Sequence, residues 1–168
     1  ISTDEVYGSI MNGSFKENDI CQPNSPYSAS KASADMIVRS YNKTYGLNTV
    51  ISRCSNNFGP NQHQEKFIPM IINSIISDKP IRVYGNGDNI RDWIYVFDHC
   101  KAIDLVYNIG KTASIYNIAG KNEMTNLELI DLIYSLMGNQ NKKSLNFIDD
   151  RFGHDKRYSV DISKISKE

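Results

Sequence analysis

Residues 25–54 read SPYSASKASADMIVRSYNKTYGLNTVISRC, and this stretch decides the fold. Ser25 followed by Pro26 is a helix start: the serine side chain can accept from first-turn amides, and the N–H that proline lacks is not needed there. Ala29, Ala32, Met36, Ile37, Tyr41 and Tyr45 then recur at helical spacing until Gly46, which can take the left-handed conformation that ends a helix. LNTVISRC (47–54), rich in β-branched residues, reads as a strand. Upstream, ISTDEVYG (1–8) reads as the end of another strand, and a polar, Pro- and Asn-rich connection from about Gly8 to Pro26 separates the two. Strand, loop, long helix and strand make an α/β crossover with a parallel sheet.

The alternation continues beyond it. FIPMIINSII (67–76) is apolar all round, which predicts a largely buried helix with Pro69 in its first turn. IRVY (81–84) is a short strand meeting the turn GNGD (85–88), and after WIYV (93–96) Asp98 is placed to cap a helix running to Gly110. The turn SNNFGPN (55–61) and the strand IYNIAG (115–120) complete the middle of the chain. Thr125 and Glu128 have capping-box spacing ahead of an amphipathic helix from Leu127 to Met137, which Gly138 stops. LNFID (145–149) is a last short strand, and the tail DRFGHDKRYSVDISK (150–164) is polar and basic.

Composition narrows the function. A chain of 168 residues suffices for one ordinary domain with a core. Lys plus Arg and Asp plus Glu both number 19, so no basic field speaks for a nucleic-acid partner. Cys21, Cys54 and Cys100 have no metal-type spacing, and His63, His99 and His154 do not complete a ligand set, so no metal is expected. The thiols read as reduced, in a cytoplasmic protein. With no leader pattern and no apolar run near the roughly 20 residues that span a bilayer, no membrane role is expected. Ile1 stands inside what reads as a buried strand, so the chain reads as cut from something longer.

Two constellations could carry chemistry. Asp4 and Glu5 adjoin Thr3 at a strand end, where successive side chains meet different environments, and carboxyls in different environments can hold different protonation states. Tyr27 and Lys31 lie one helical turn apart, so phenol and ammonium share a face, and a nearby cation is expected to lower the phenol pKa. Tyr107 and Lys111 repeat that spacing at a helix end, where it reads as a solvated pair; the spacing alone decides nothing.

Taken in order, STDEVYG, SPYSASK, SRCSNNFGPNQHQEKFIP, YGNGDNIRDWIYVFDH, YNIAG and DRFGHDKRY resemble the extended short-chain dehydrogenase/reductases, and within them the nucleotide-sugar 4,6-dehydratases that act on dTDP-glucose. The resemblance covers nearly the whole chain. It implies the C-terminal part of a Rossmann-type doubly wound parallel sheet plus a smaller α/β sugar-nucleotide-binding domain. Residues 1–60 would belong to the first; residues 61–168 would belong mainly to the second, with some segments returning to the Rossmann sheet. It implies NAD as cofactor, a nucleoside-diphosphate glucose as substrate and an internal redox cycle ending in a 4-keto-6-deoxy sugar. Tyr27 would take the sugar 4-hydroxyl proton, Lys31 would tune that phenol and bond the nicotinamide ribose, and Thr3 would hydrogen-bond the sugar near O4. Glu5 would act as base and Asp4 as acid in eliminating water. Asn56 would meet the substrate and Asn57 the cofactor, in a turn after a strand where α/β sheets place ligands. Lys66 and Phe67, at a helix start, would face the diphosphate. Arg91, Asn117 and the stretch Asp150, Arg151, Phe152, Gly153 and His154 would serve the diphosphate and base, with Arg82, Val83 and Tyr84 lining the nucleotide.

The chain also departs from that pattern. Phe58 replaces the expected tyrosine, Phe152 replaces proline, and Gln62-His63-Gln64 differs from the common form. The ten glycines nowhere make G-x-x-G-x-x-G or G-x-G-x-x-G, so the dinucleotide pyrophosphate loop is not among these residues. The expectation is a half-enzyme that is inactive alone and whose half-sheet is poorly folded or associated, paired as a homodimer through long helices. The alternatives are a UDP-glucose 4,6-dehydratase, a nucleotide-sugar epimerase, and a truncated, non-catalytic nucleotide-sugar-binding module.

Overall fold

The computed structural model describes residues 1–138 and 144–168. Its first strand, β1 (Ser2–Thr3), passes at once into a 3-10 turn over Asp4–Tyr7 whose N-cap is Thr3. The sequence keeps Asp4 and Glu5 on extended chain; the structure winds them, because the Thr3 hydroxyl accepts from the Glu5 amide and competes with any strand partner for it. α1 (Pro26–Tyr45) starts on a reciprocal box in which Ser25 and Ser28 each accept the other's backbone N–H at 3.1 Å, and it ends at Gly46 with φ 67°. Only Ser28, Ala32 and Asp35 of α1 are buried. Its apolar stripe of Met36, Ile37, Tyr41 and Tyr45 faces outward instead of into this chain's own core.

β2 (Ile51–Cys54) leads after one residue into β3 (Asn56–Phe58), so the Asn pair read as a turn is strand. α2 (Phe67–Ile76) buries Ile71 and Ile75 but leaves Ile76 70% exposed, correcting the expectation of a largely buried helix. β4 (Ile81–Tyr84), β5 (Ile90–Tyr95) and α3 (Val96–Ile109) follow. The N-cap of α3 is Tyr95, and Asp98 lies inside the first turn, where its charge favours the helix dipole rather than capping an amide. β6 (Ile115–Ile118), β7 (Glu123–Thr125), α4 (Asn126–Leu136), β8 (Leu145–Ile148) and α5 (Ser163–Lys167) complete the order. The Thr125–Glu128 capping box starts α4.

The fold is α/β with parallel sheets. One sheet has the order β1-β2-β6, all parallel, with Thr3 opposite Cys54 and Cys54 opposite Ile118. β3 pairs parallel with β5, which pairs antiparallel with β7, and β4 pairs parallel with β8. The largest apolar cluster joins Ile71, Ile81, Val83, Trp93 and Ile130. A second cluster, Val6, Tyr7, Ala32 and Val160, packs the 3-10 turn, α1 and the tail together.

α1 is pinned to β2 by a buried ion pair, with Arg53 Nε 2.9 Å from Asp35 Oδ2 and the Arg53 guanidinium 4.7 Å over the Tyr7 ring. Removing one member strands a charge away from water, so Arg53→Ala or Asp35→Ala is expected to cost about 3–5 kcal/mol. Replacing both, Arg53→Met with Asp35→Leu, should cost far less than the sum in urea unfolding of the full-length protein. Additive losses would contradict the pairing.

Candidate active site

At the carboxyl end of the β1-β2-β6 sheet, Thr3 and Asp4 are both buried, and the Thr3 hydroxyl donates to Asp4 Oδ1 at 3.3 Å. Asp4 is only 3% exposed, and its Oδ2 is a buried atom without a partner among the described residues. Burial, with the charge of Glu5 added, pushes the Asp4 pKa up to about 8, against the lowering influence of Arg91. Asp4 therefore holds its proton at neutral pH. Glu5 is only half-buried; burial raises its pKa too, while Arg91, Arg151 and Lys66 oppose the rise. One carboxyl is dry and protonated, and its neighbour is wetter and faces cations, an asymmetry that can both donate and accept a proton.

Arg91 is the buried cation facing this pair. Its guanidinium lies 4.3 Å over the Tyr158 ring and donates to the backbone carbonyls of Ile90, Asp155 and Lys156 at 2.7, 2.9 and 3.3 Å. Three of its five N–H groups are used in this way, and its charge acts on Asp4 and Glu5.

The first turn of α1 brings Tyr27 to the same place, 56% exposed. Burial and the negative charges of Glu5, Cys54 and Asp4 raise its pKa, the opposite of the lowering expected from Lys31. The reason is geometric: the Lys31 ammonium donates to the Ile1 carbonyl at 2.9 Å, and the charges that act on the phenol are carboxylates.

Asn57 Oδ1 pairs with His99 Nδ1 at 2.8 Å, its Nδ2 reaches the Ser55 carbonyl at 3.2 Å, and its own carbonyl accepts from Gln62 Nε2 at 2.8 Å. Burial lowers the His99 pKa, so the neutral ring donates through Nδ1 and leaves Nε2 as a buried acceptor with no partner among the described residues. Asn56 is half-buried beside it on β3. Lys66 is the exposed N-cap residue of α2, and Phe67 opens that helix half-buried.

In the tail, His154 Nδ1 lies 2.6 Å from Asp150 Oδ1, His154 Nε2 lies 3.1 Å from an Arg151 nitrogen, and Arg151 stacks 4.8 Å over Tyr84. Burial lowers the His154 pKa, and its contact with Asp150 opposes that. Arg151, Tyr84 and Asp150 thus gather around the largely buried His154 ring, with Phe152 and Gly153 exposed in the same loop. Arg82 is exposed on β4. Val83 and Asn117 are not brought to the site. Val83 is in the core, and the fully buried Asn117 is occupied by the Tyr7 hydroxyl and the carbonyls of Phe15 and Asp161. The sequence singles out neither Arg53, Tyr158, Asp155 nor the His99 contact to Asn57, because each partner comes from a distant segment and no spacing signals it.

The profile of the GDP-mannose 4,6-dehydratase family matches residues 1–168. A dTDP-glucose 4,6-dehydratase of Actinoplanes is 46% identical over all of this chain and 52% of its own length. DesIV of Streptomyces venezuelae, a dTDP-glucose 4,6-dehydratase solved with NAD bound, superposes with a TM-score of 0.96 at 46% identity, over 99% of this chain and 52% of its own. The dTDP-glucose 4,6-dehydratase of Bacillus anthracis, in complex with NAD, gives 0.94 at 48% identity over 99% and 53%. The chain spans about half the length of the curated relatives it matches.

An acid whose pKa rises on folding binds its proton more tightly when folded. The contribution of neutral Asp4 is therefore present in full below 3.8 and is lost as pH climbs to about 8. Asp4→Asn cannot ionise. Measured by denaturation in the full-length protein, its stability relative to the native sequence should increase steadily from pH 4 to 8 and level off above. A difference that is flat across that window would contradict the buried, neutral carboxyl.

Proposed function

The chain belongs to the GDP-mannose 4,6-dehydratase family, and on that premise we propose that it is the acid–base and nucleotide-sugar-binding part of an NAD-dependent dTDP-glucose 4,6-dehydratase. The observation that carries this reading is the buried, protonated Asp4 beside the less buried Glu5, close enough to Tyr27 that both carboxyls act on its phenol. An epimerisation needs one acid/base group at O4; loss of water across C5 and C6 needs a second base and a second acid.

The donor set suits a dinucleotide. Lys31 and the half-exposed Tyr27 offer an ammonium and a phenol to ribose hydroxyls from one face of α1, and Asn57 on β3 offers an amide, while the pyrophosphate loop is not among these 168 residues. Lys31, Tyr27 and Asn57 would hold NAD+, and the chemistry it would supply there is acceptance of a hydride from C4 of the sugar and its return at C6. Tyr27 takes the O4 proton as that bond becomes a ketone, a role that needs its phenol ionised and so needs the positive charge of bound NAD+ to oppose the rise in its pKa, and Thr3 holds the sugar near O4. The ketone acidifies C5, Glu5 removes the C5 proton, and Asp4 gives its proton to the C6 hydroxyl, which leaves as water; when hydride is added at C6, Glu5 returns its proton to C5. Asn56 contacts the sugar, Lys66 and Arg151 face the diphosphate, and Tyr84 with His154 frames the base. Arg91 acts on the carboxyls by charge while three of its N–H groups donate to backbone carbonyls. The outward stripe of α1 supports a homodimer paired through that helix, and three unpaired cysteines suit a reducing cytoplasm. By itself this chain should be inactive.

The full-length protein incubated with dTDP-glucose and NAD+ should release a 4-keto-6-deoxy nucleotide sugar, and a 4-hydroxy epimer would contradict the assignment. Asp4→Asn and Glu5→Gln should each slow dehydration by about 10²–10⁴-fold. Both should still reduce bound cofactor in a single turnover, followed by absorbance; variants unable to do so would sink the division of roles.

A further inference from the structure

Asp155 is buried, 5% exposed, in the loop that carries Arg151 and His154; its side chain bonds to neither of them nor to Asp4 or Glu5 among the described residues, although its charge adds to the rise of the Glu5 pKa. One carboxylate oxygen accepts from Asn24 Nδ2 at 2.6 Å, and the other accepts from the Tyr158 hydroxyl at 3.0 Å. Its backbone carbonyl accepts from Arg91 and, at 3.4 Å, from Asn89. Asn24 immediately precedes Ser25, the N-cap that starts α1, and Tyr27 lies in the first turn that this cap begins.

A second contact brings the same two segments together. Gly153, at φ +68°, passes so close to the Asn24 carbonyl that an added Cβ would sit 2.5 Å from that oxygen, a position only glycine tolerates. Asn24 Nδ2 also lies 3.3 Å from where a Cβ on Gly8 would stand, at the end of the turn holding Asp4 and Glu5. The tail loop, the entry to α1 and the carboxylate turn therefore meet at Asn24, with Asp155 gripping its amide.

We propose that Asp155 is a positioning residue, which couples the nucleotide-facing tail loop to Tyr27 by holding Asn24 and thereby the entry to α1. It rests on the functional reading above and adds to it a route by which the loop facing the nucleotide fixes the reacting end of the site. Asp155→Asn loses an acceptor at one of two oxygens while keeping the shape, and Asn24→Ala removes the donor from an exposed residue, so the bond is tested even if the buried variant folds poorly.

In the full-length enzyme each variant should lower kcat for dTDP-glucose about 10- to 100-fold, because a small displacement of an acid/base group has that cost. KM should change by less than kcat, and the double variant should be no slower than the slower single. The second readout needs no activity: hydrogen exchange at the amides of residues 24–28 should speed up in both variants while exchange in α4 stays as it was. Multiplicative losses in the double variant, or unchanged exchange at 24–28 in an enzyme that turns over, would overturn the positioning role and leave the functional reading intact. An unsubstituted enzyme that makes no product, with exchange still faster in the variants, would overturn the functional reading and leave the Asp155 tether standing.

Discussion

The structure turns on the removal of one carboxyl from water. Asp4 is charged in any unfolded chain at neutral pH, and folding makes it neutral by burying it in the same turn that contributes Val6 and Tyr7 to an apolar cluster. That cost is compensated only if the neighbouring elements are fixed. β1 stops after two residues because Thr3 caps the turn, Tyr7 is held under the Arg53 guanidinium with its hydroxyl on Asn117, and Arg53 is in turn paired to Asp35 on α1. The same ion pair that seats α1 on the sheet thus seats the turn that dries Asp4.

Arg91 and Glu5 complete the electrostatics. A lone protonated acid is of little use to an elimination without a base beside it, and a base one residue away would normally share its environment. Winding the chain at Thr3 separates them: Asp4 goes inward, and Glu5 stays near water with Arg91, Arg151 and Lys66 about it. Arg91 faces two carboxyls while donating to the carbonyls of Ile90, Asp155 and Lys156, and Asp4 stays protonated because burial outweighs the pull of that charge. Its charge opposes the rise that burial gives to both pKa values.

Much of this is legible in the letters. The start and end of α1, the Thr125–Glu128 box and the α/β alternation are local signals, set by residues a turn apart, and the structure repeats them. β3, β7 and α5 are not visible because three- to five-residue elements are decided by the strand or loop they meet rather than by their own composition. The sign of the Tyr27 shift is lost for a similar reason: spacing shows Lys31, while the charges that act on the phenol arrive from another element. Asn117 and Val83 sit in motif positions that suggest a ligand, but burial turns both inward. Asp155 and Asn24 are ordinary tail and loop residues until the fold joins them.

The central claim is that burial holds Asp4 protonated beside a usable base, and infrared spectroscopy of the full-length protein tests it directly. At pH 7 the native sequence should show the carbonyl stretch of a protonated carboxyl that disappears as pH passes about 8 and is missing from Asp4→Asn. A spectrum with no such band at pH 7, or one lost below about pH 5 as for an ordinary carboxyl, would contradict the account.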